Sequence, residues 1–346
     1  MIVRFSFLFL LAGAAPLIAQ SGGVTHVDTV PAPSLRGNLV GDPDWRQATV
    51  YLPPGYSRRP AKRYPVVYLL HGFAADHRAF MKGAYQNLNV RISMDSLIRA
   101  RAVREMIVVM PNARSAYDGS FYANSVVTGN WEDFIVRDLV GFIDRKYRTI
   151  RGRSGRGVAG HSMGGFGALR LGMRHPETFS AVYALSPCCL ATTRFSDAAT
   201  LRAWRIAAAL SERGQFVNAG FTPNRFYAEA AIYSPDSTNP PFYVRLPYRL
   251  SGDSLVLDTA VARNWRATPL DTAPTYAANL RRVAIAFDAG SEDGLKDIPV
   301  SVRQLDSVLT ALRVPHSAEL YEGTHGSRIR LRLESKVFPF FSQRLH

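Results

Sequence analysis

Val158-Ala-Gly-His-Ser-Met-Gly-Gly165 is the segment that predicts the fold of this chain most directly. Residues 160–164 fit the pattern G-x-S-x-G, a sharp strand-to-helix turn that lifts a serine hydroxyl above an α/β sheet. The flanking sequence agrees, because residues 157–160 can form a short buried strand and residues 166–174 have the pattern of a helix. We therefore predict that Ser162 is a nucleophile. The alternative is a glycine-rich turn with a structural serine.

Predicted strands and helices alternate along the rest of the chain. The strands are predicted at residues 46–52, 64–70, 106–111, 181–186, 283–287 and 318–321, and the helices at 132–147, 298–312 and from 328 onward. This alternation indicates βαβ units and a mostly parallel central sheet flanked by helices. The pattern loosens in residues 190–280, which we interpret as a variable cap or insertion over the active-site edge of the sheet.

The amino terminus has the features of a secretory signal peptide. One arginine precedes an apolar run at residues 5–18, and a small residue follows at Ala19. The run is too short for a convincing membrane span, although an uncleaved anchor remains the alternative. We therefore expect a signal peptide at residues 1–19 and a single catalytic domain at 20–346. The domain should be periplasmic or extracellular, without stable membrane insertion.

Composition narrows the classes of partner. The net charge is +15, but the basic residues are spread along the whole chain and form no nucleic-acid motif, so we expect no nucleic-acid partner. The two cysteines, Cys188 and Cys189, are adjacent, and neighbours in sequence rarely form an unstrained disulfide. No further clustered ligands accompany them. We expect no metal and no cofactor.

A serine hydroxyl needs a base within hydrogen-bond reach, and in folds with this turn an acid and then a histidine follow the serine. Three histidines lie late enough in the chain: His316, His325 and His346. His316 precedes the last predicted strand and therefore belongs at the wrong end of the sheet, and His346 is the final residue. His325 follows that strand in a glycine-flanked loop, so we predict that His325 is the base.

The acid should lie just beyond the predicted strand at residues 283–287. Asp288 and Asp293 both qualify by position, and Glu292 is a more distant alternative. The role of the acid is to hold the imidazole tautomer and to stabilise the imidazolium. Position alone leaves the choice between the two aspartates open.

Two backbone N–H groups are needed to stabilise the oxyanion. Met163 follows the nucleophile directly and should supply one of them. The other should come from the loop after the strand at 64–70, where we favour Phe73 because Gly72 permits a close approach. His71 and His161 are then expected to shape the site as hydrogen-bonded scaffold.

Taken together, these pieces resemble the esterase D family of α/β-hydrolases. That family includes S-formylglutathione hydrolases, secreted feruloyl and acetyl-xylan-type esterases, enterochelin-esterase-like enzymes and mycolyltransferases. The matching segments are Val50–Tyr56, Val67–Gly72, Ser120–Ser125, Trp131–Phe134, Arg137–Val140, Gly160–Gly165, Asp288–Asp293 and Gly323–Gly326. The resemblance runs from about residue 40 to the carboxyl terminus and implies the α/β-hydrolase fold.

The resemblance also implies roles for individual residues. The acid corresponds to the second aspartate of D-x-G-x-x-D, which is Asp293, and the Phe73 and Met163 amides correspond to the oxyanion hole. Tyr122 and Trp131 lie in matching segments. We expect both to contribute to substrate binding, together with His71, Gly72 and His161. Where feruloyl-type relatives often carry Trp-Tyr-x-Asp-Ser, this chain has Phe-Tyr-Ala-Asn-Ser at 121–125.

The sequence thus leads to the hypothesis of an exported serine carboxylesterase that acts on a small-molecule or polysaccharide-linked ester. A first alternative is a mycolyltransferase-like enzyme that moves the acyl group to a sugar or an envelope alcohol. A second is a non-catalytic protein with a hydrolase fold. The natural substrate and the oligomeric state do not follow from the sequence.

Overall fold

The structure is a computed structural model that describes residues 22–83, 85–191 and 197–346. The predicted signal peptide, residues 1–19, lies outside the described residues. Within the described part of the chain, no helix is long and apolar enough to cross a membrane.

An eight-stranded sheet forms the centre of the molecule, in the order β1-β2-β4-β3-β7-β8-β11-β12. Strand β2 is antiparallel to both of its neighbours, and all the other pairs are parallel. The eight strands are β1 (Val24–Pro31), β2 (Trp45–Leu52), β3 (Val66–Leu70), β4 (Ile107–Pro111), β7 (Arg156–His161), β8 (Ala181–Leu185), β11 (Ala284–Gly290) and β12 (His316–Tyr321). Two short ladders lie outside this sheet and consist of β5 (Asn124–Ser125) with β6 (Gly129–Asn130) and β9 (Tyr248–Ser251) with β10 (Ser254–Leu257). The predicted mostly parallel sheet is confirmed.

Helices connect and cover the strands. They are α1 (Val90–Arg99), α2 (Trp131–Asp133), α3 (Val140–Lys146), α4 (Met163–Arg174), α5 (Ala198–Ala209), α6 (Phe216–Ala219), α7 (Phe221–Tyr233), α8 (Thr259–Asn264), α9 (Pro269–Thr272), α10 (Ala277–Leu280), α11 (Asp297–Ala311), α12 (Ile329–Arg332) and α13 (Phe338–Arg344). A π-helical stretch, Phe134–Leu139, joins α2 to α3. The helix predicted at residues 132–147 is therefore continuous but locally widened.

The centre of the sheet is buried on both faces, and its strands β3 and β4 are apolar at every position. In β3, successive side chains point to opposite faces. Tyr68 and Leu70 pack in the core on one side, Val67 and Leu69 pack in the core on the other, and all four are fully buried. Helix α4 packs on the first face and α13 on the second. Packing on both faces fixes the positions of the strands, and the loops at their carboxyl ends carry the candidate active site.

The described part of residues 190–280 contacts loops that follow β3 and β4. The ring of Phe221 packs edge-on against Phe73 at 5.2 Å, and Asn224 donates to Asp118 at 3.3 Å. Most aromatic residues of the segment form its own core; the Phe226 ring, for example, stacks on Trp204 at 3.6 Å. The segment therefore lies beside the loops that follow the carboxyl ends of β3 and β4.

Candidate active site

The turn between β7 and α4 presents the Ser162 side chain in a strained backbone conformation. Its φ is 58° and its ψ is −118°, a region that non-glycine residues rarely occupy. The turn is possible only because its neighbours lack side chains. A Cβ on Gly164 would lie 2.1 Å from the Leu70 carbonyl oxygen, and one on Gly160 would lie 2.3 Å from the backbone of Gly164. The G-x-S-x-G pattern therefore has a steric cause here.

A continuous line of hydrogen bonds joins three predicted site residues. His325 Nε2 lies 3.0 Å from Ser162 Oγ, and His325 Nδ1 lies 2.7 Å from Asp293 Oδ2. Asp293 is fully buried, and its other oxygen accepts the Leu295 backbone N–H at 2.8 Å. The histidine side chain retains 28% exposure. The carboxylate is thus shielded while the imidazole remains open to a substrate.

Asp288, the other candidate acid, faces away from His325. Its carboxylate accepts two hydrogen bonds from the Arg332 guanidinium, at 2.7 and 2.9 Å, and one from the Tyr183 hydroxyl at 2.7 Å. Asp288 belongs to β11, and its two partners come from the neighbouring strand β8 (Tyr183) and from α12 (Arg332). The geometry therefore gives Asp288 a structural ion pair and leaves Asp293 as the carboxylate that contacts the imidazole.

His161 supports the loop that carries His325. Its Nε2–H donates to the His325 carbonyl at 2.8 Å, and its Nδ1 accepts from the Tyr85 hydroxyl at 3.2 Å. Burial lowers the pKa of His161 to about 3, and the nearby His325 acts in the same direction. His161 is therefore neutral and acts as scaffold. Nothing in the sequence singles out Tyr85, because it lies in an irregular segment without a motif.

The loop after β3 approaches the nucleophile closely. A Cβ built on Gly72 would lie 3.4 Å from the Ser162 Cβ, so the Phe73 amide next to Gly72 belongs to the surroundings of the hydroxyl. Met163 is the first residue of α4, and the first N–H groups of a helix have no intrahelical acceptor. The structure therefore places Gly72 next to the nucleophile and Met163 at the start of α4, while the oxyanion role of the Phe73 and Met163 amides stays a prediction.

His71 holds this loop in place. Its Nε2 accepts the Ala113 N–H at 2.9 Å, so the proton resides on Nδ1, which donates to the Gly72 carbonyl at 2.8 Å. Burial lowers its pKa to about 4. The Tyr122 hydroxyl donates to the His71 carbonyl at 2.9 Å. These contacts fix the backbone of the loop and need no direct contact between His71 and a substrate.

The expectation that Tyr122 and Trp131 line a substrate site is corrected by their burial. Both side chains are fully buried. Trp131 donates its indole N–H to the Thr128 carbonyl at 2.8 Å and packs against Phe134. A side chain without accessible surface cannot touch a substrate. Tyr122 and Trp131 therefore belong to the core that packs beneath the site.

Aromatic side chains form one wall beside the oxyanion loop. The Phe73 ring lies 6.3 Å from that of Phe121 and 5.2 Å from that of Phe221, which is 49% exposed. Gly119 leaves the room for this packing, because a Cβ there would lie 2.5 Å from the Phe73 ring and 2.6 Å from the Met163 sulfur. The half-exposed Phe221 ring gives this wall apolar area that a ligand can contact. The sequence pattern alone did not assign it.

Comparison with known proteins places this geometry in a family. The family model described as "Putative esterase" matches residues 44–328. Esterase Rv1288 of Mycobacterium tuberculosis (strain ATCC 25618 / H37Rv) is 32% identical over 143 residues, which are 40% of this chain and 28% of that protein. An endo-1,4-beta-xylanase/feruloyl esterase of Xylanibacter ruminicola is 31% identical over 138 residues, 38% of this chain and 18% of that protein. The aligned stretch thus spans less than a third of these curated relatives.

Solved structures share the fold over nearly the whole chain. A ferulic acid esterase has a TM-score of 0.64 at 23% identity, covering 94% of this chain and 99% of that one. FphF, a fluorophosphonate-binding serine hydrolase of Staphylococcus aureus, has a TM-score of 0.60 at 17% identity, covering 94% and 100%. The α/β-hydrolase fold and the family resemblance predicted from the sequence are confirmed. The chain belongs to this esterase family, and its relatives support the predicted enzyme class, a carboxylesterase.

Proposed function

We propose that this member of the esterase family is an exported serine esterase that hydrolyses carboxylic esters through an acyl-enzyme intermediate. The observation that carries the proposal is the hydrogen-bonded line from Ser162 through His325 to the buried Asp293. A nucleophile, a base and an acid that orients the base are the arrangement that serine acyl transfer requires.

In the acylation step, Ser162 Oγ attacks the ester carbonyl carbon while His325 Nε2 takes the hydroxyl proton. The carbonyl oxygen becomes an oxyanion, which the Phe73 and Met163 backbone N–H groups stabilise. Asp293 accepts from the Nδ1–H of His325 and stabilises the imidazolium. As the tetrahedral intermediate collapses, the ester C–O bond breaks and His325 returns the proton to the leaving alcohol.

Deacylation repeats these steps with water as the nucleophile. His325 takes a proton from the water, and the hydroxide oxygen bonds to the acyl carbon to give a second tetrahedral intermediate. As this intermediate collapses, the bond between the acyl carbon and Ser162 Oγ breaks and His325 returns the proton to Oγ. The products are a carboxylic acid and the free enzyme. The 28% exposure of the His325 side chain supports this step, because it leaves the base accessible to water.

The aromatic wall supports a substrate with an apolar acyl group. Phe73 belongs to the oxyanion loop, so a group bonded to the acyl carbon lies beside its ring. Phe221 extends this surface and is half exposed. Ferulic acid esterases are among the structural neighbours, and we propose ester substrates that are small or attached to a polysaccharide.

The proposal of export rests on the amino-terminal sequence. An arginine, an apolar run at residues 5–18 and Ala19 have the order of a signal peptide. The mass of the protein recovered from the culture medium or periplasm tests this part. Loss of residues 1–19 is expected, and an intact chain retained in the cytoplasm would contradict export.

Hydrolysis of p-nitrophenyl esters from acetate to palmitate tests the activity. Ser162→Ala and His325→Ala should each lower kcat by at least about 10⁴-fold, because the nucleophile and the base act as a unit. Ser96→Ala, an exposed serine on α1, is the matched control and should keep full activity. Turnover that survives Ser162→Ala would refute the mechanism. Turnover only in the presence of a sugar or alcohol acceptor would point to acyl transfer.

A further inference from the structure

A cavity lies at the far end of helix α4. Its volume is about 220 Å³, and its polar walls come from Asn124, Arg170, Arg174 and Tyr276. Helix α4 begins next to the nucleophile, and a helix rises 1.5 Å per residue, so the two arginines lie about 10 to 16 Å along the axis from Met163. None of the proposed catalytic residues lines this basic cavity.

Arg170 and Arg174 both donate to the carboxylate of Glu132 and have further N–H groups that do not contact it. Arg170 and Arg174 each donate Nε–H to Glu132, at 2.8 and 2.7 Å, and His175 contacts the same carboxylate at 2.8 Å. Among the described residues, neither terminal nitrogen of Arg170 has a hydrogen-bond acceptor. Arg174 uses one of its own on the Tyr276 hydroxyl. At least three guanidinium nitrogens therefore remain without a protein acceptor.

The charge in the cavity is not neutralised by the groups that line it. Two guanidinium charges face a single carboxylate, which leaves one net positive charge. Asp133 lies near Arg174 but is paired with Arg137 at 3.7 Å. Arg174 is the last residue of α4. The carboxyl-terminal end of a helix carries partial negative charge, which weakens the positive potential in the cavity. A bound anion would restore the balance, with an affinity that we expect to be modest.

Apart from Tyr233 and Thr272, the remaining walls are apolar. Met173, Ile232, Ala267 and Pro269 line the cavity beside the arginines. Its volume also exceeds what a single water-sized group requires, since a water molecule occupies about 30 Å³ of liquid. The cavity therefore combines a forked cationic end, which matches the geometry of a carboxylate, with space for a compact apolar body.

We propose that this basic cavity binds a small organic carboxylate at a site separate from the proposed catalytic cleft. The carboxylate accepts hydrogen bonds from the terminal nitrogens of Arg170 and Arg174, and Asn124 lies at the same wall with its side-chain amide. The apolar body of the ligand packs against Met173 and Ile232. The proposal is independent of the activity assigned to Ser162.

Calorimetric titration of the purified chain with benzoate at low ionic strength tests the proposal. Benzoate should bind, and benzamide, its neutral analogue of the same shape, should bind at least about tenfold more weakly because it cannot accept from the guanidinium groups as an anion does. Inorganic phosphate should also bind more weakly than benzoate. Equal binding of benzoate and benzamide, or no binding of benzoate, would overturn the proposal. Equal binding of phosphate would overturn the role of the apolar walls.

Variants locate the bound ligand. Asn124→Asp keeps the size of an exposed side chain but adds a negative charge, and should weaken benzoate binding at least about tenfold. Asn218→Asp adds the same charge to an exposed position on α6 and should leave the affinity within twofold. Arg170→Gln should also weaken binding, with circular dichroism as the check that it folds.

Phe221→Ala controls for binding in the catalytic cleft and should leave the benzoate affinity unchanged. A loss caused by Phe221→Ala but not by Asn124→Asp would place benzoate in the cleft and refute the site. Equal losses for Asn124→Asp and Asn218→Asp would show a non-specific effect of net charge and would refute it as well.

Discussion

The two aspartates after β11 should separate catalysis from stability. Asp293→Asn keeps an oxygen for the Leu295 N–H but loses the anion that accepts from His325 Nδ1–H. The imidazole can then adopt the wrong tautomer, a change that costs about 10⁴-fold in kcat in a serine-protease triad. We expect a loss of that size here. The unfolding free energy should change by less than about 1.5 kcal/mol, the usual range for one hydrogen bond.

Asp288→Asn should have the opposite effect. Asp288 is fully buried, and its carboxylate compensates the Arg332 guanidinium, which is 6% exposed. Removing one partner of a buried ion pair costs about 3–5 kcal/mol. Glu319 still pairs with Arg332 at 2.7 Å and is 43% exposed, so we expect the lower end, about 3 kcal/mol. Because Asp288 does not contact His325, kcat should fall by less than tenfold.

The assay measures kcat on p-nitrophenyl acetate and urea unfolding of the same preparations of both variants. Conditions are chosen so that each variant is fully folded during the kinetic measurement. If folded Asp288→Asn loses more kcat than Asp293→Asn, the assignment of the acid is wrong. If Asp293→Asn retains more than a tenth of the wild-type kcat, the hydrogen bond from His325 to Asp293 has no catalytic role.

Three further predictions concern the turn, the buried carboxylate and the scaffold histidine. Gly164→Ala should lower the unfolding free energy by about 3 kcal/mol or more, because its Cβ would lie 2.1 Å from a carbonyl oxygen of β3. Gly214→Ala, whose Cβ would meet one atom at 4.0 Å, should change it by less than about 0.5 kcal/mol in the same urea titration. Burial by itself raises the pKa of Glu132, but the surrounding His and Arg groups hold it at about 2, below its ordinary 4.5. The depressed pKa makes the ionised carboxylate stabilising by about 3 kcal/mol above pH 5, and this is lost as the pH falls towards 2. Glu132→Gln should therefore be less stable than wild type by about that amount at pH 6 and by about 1 kcal/mol or less at pH 2.5, and a gap that is constant across this range would contradict the argument. His161→Ala removes the donor to the His325 carbonyl and should lower kcat about tenfold without moving the pH profile between pH 5 and 9, since His161 is neutral there; a shifted acid limb would show that His161 titrates.

Local sequence signals were sufficient to predict the turn and to select the histidine that lies beside Ser162. Only glycine fits at positions 160 and 164, so the pattern reports a backbone constraint that any fold with this turn must obey. His325 could be selected because a histidine after the last strand lies at the carboxyl edge of a parallel sheet, whereas His316 begins β12 and pairs with Asp306 at 2.9 Å.

The sequence pattern did not predict the direction in which individual side chains point. Asp288 lies in β11 and Asp293 in the loop that follows it, only five residues later, and position left the choice open until the family resemblance favoured Asp293. The structure separates them, because Arg332 on α12 occupies the carboxylate of Asp288. The same limit explains Tyr122 and Trp131, whose matching segments suggested a substrate role although both side chains point into the core.

Periodicity and backbone conformation within a few residues were enough to predict the alternating strands and helices, the strained turn at Ser162 and the histidine that follows the last strand. Tertiary structure alone decided which buried groups meet: Asp293 and His325 are 32 residues apart, and Ser162 and His325 are 163 apart. It also decided the aromatic wall and the basic cavity, where Arg170 of α4 and Glu132 of α2 share an ion pair across 38 residues. Such contacts arise when whole elements pack together, and no local pattern encodes the direction in which each side chain then points.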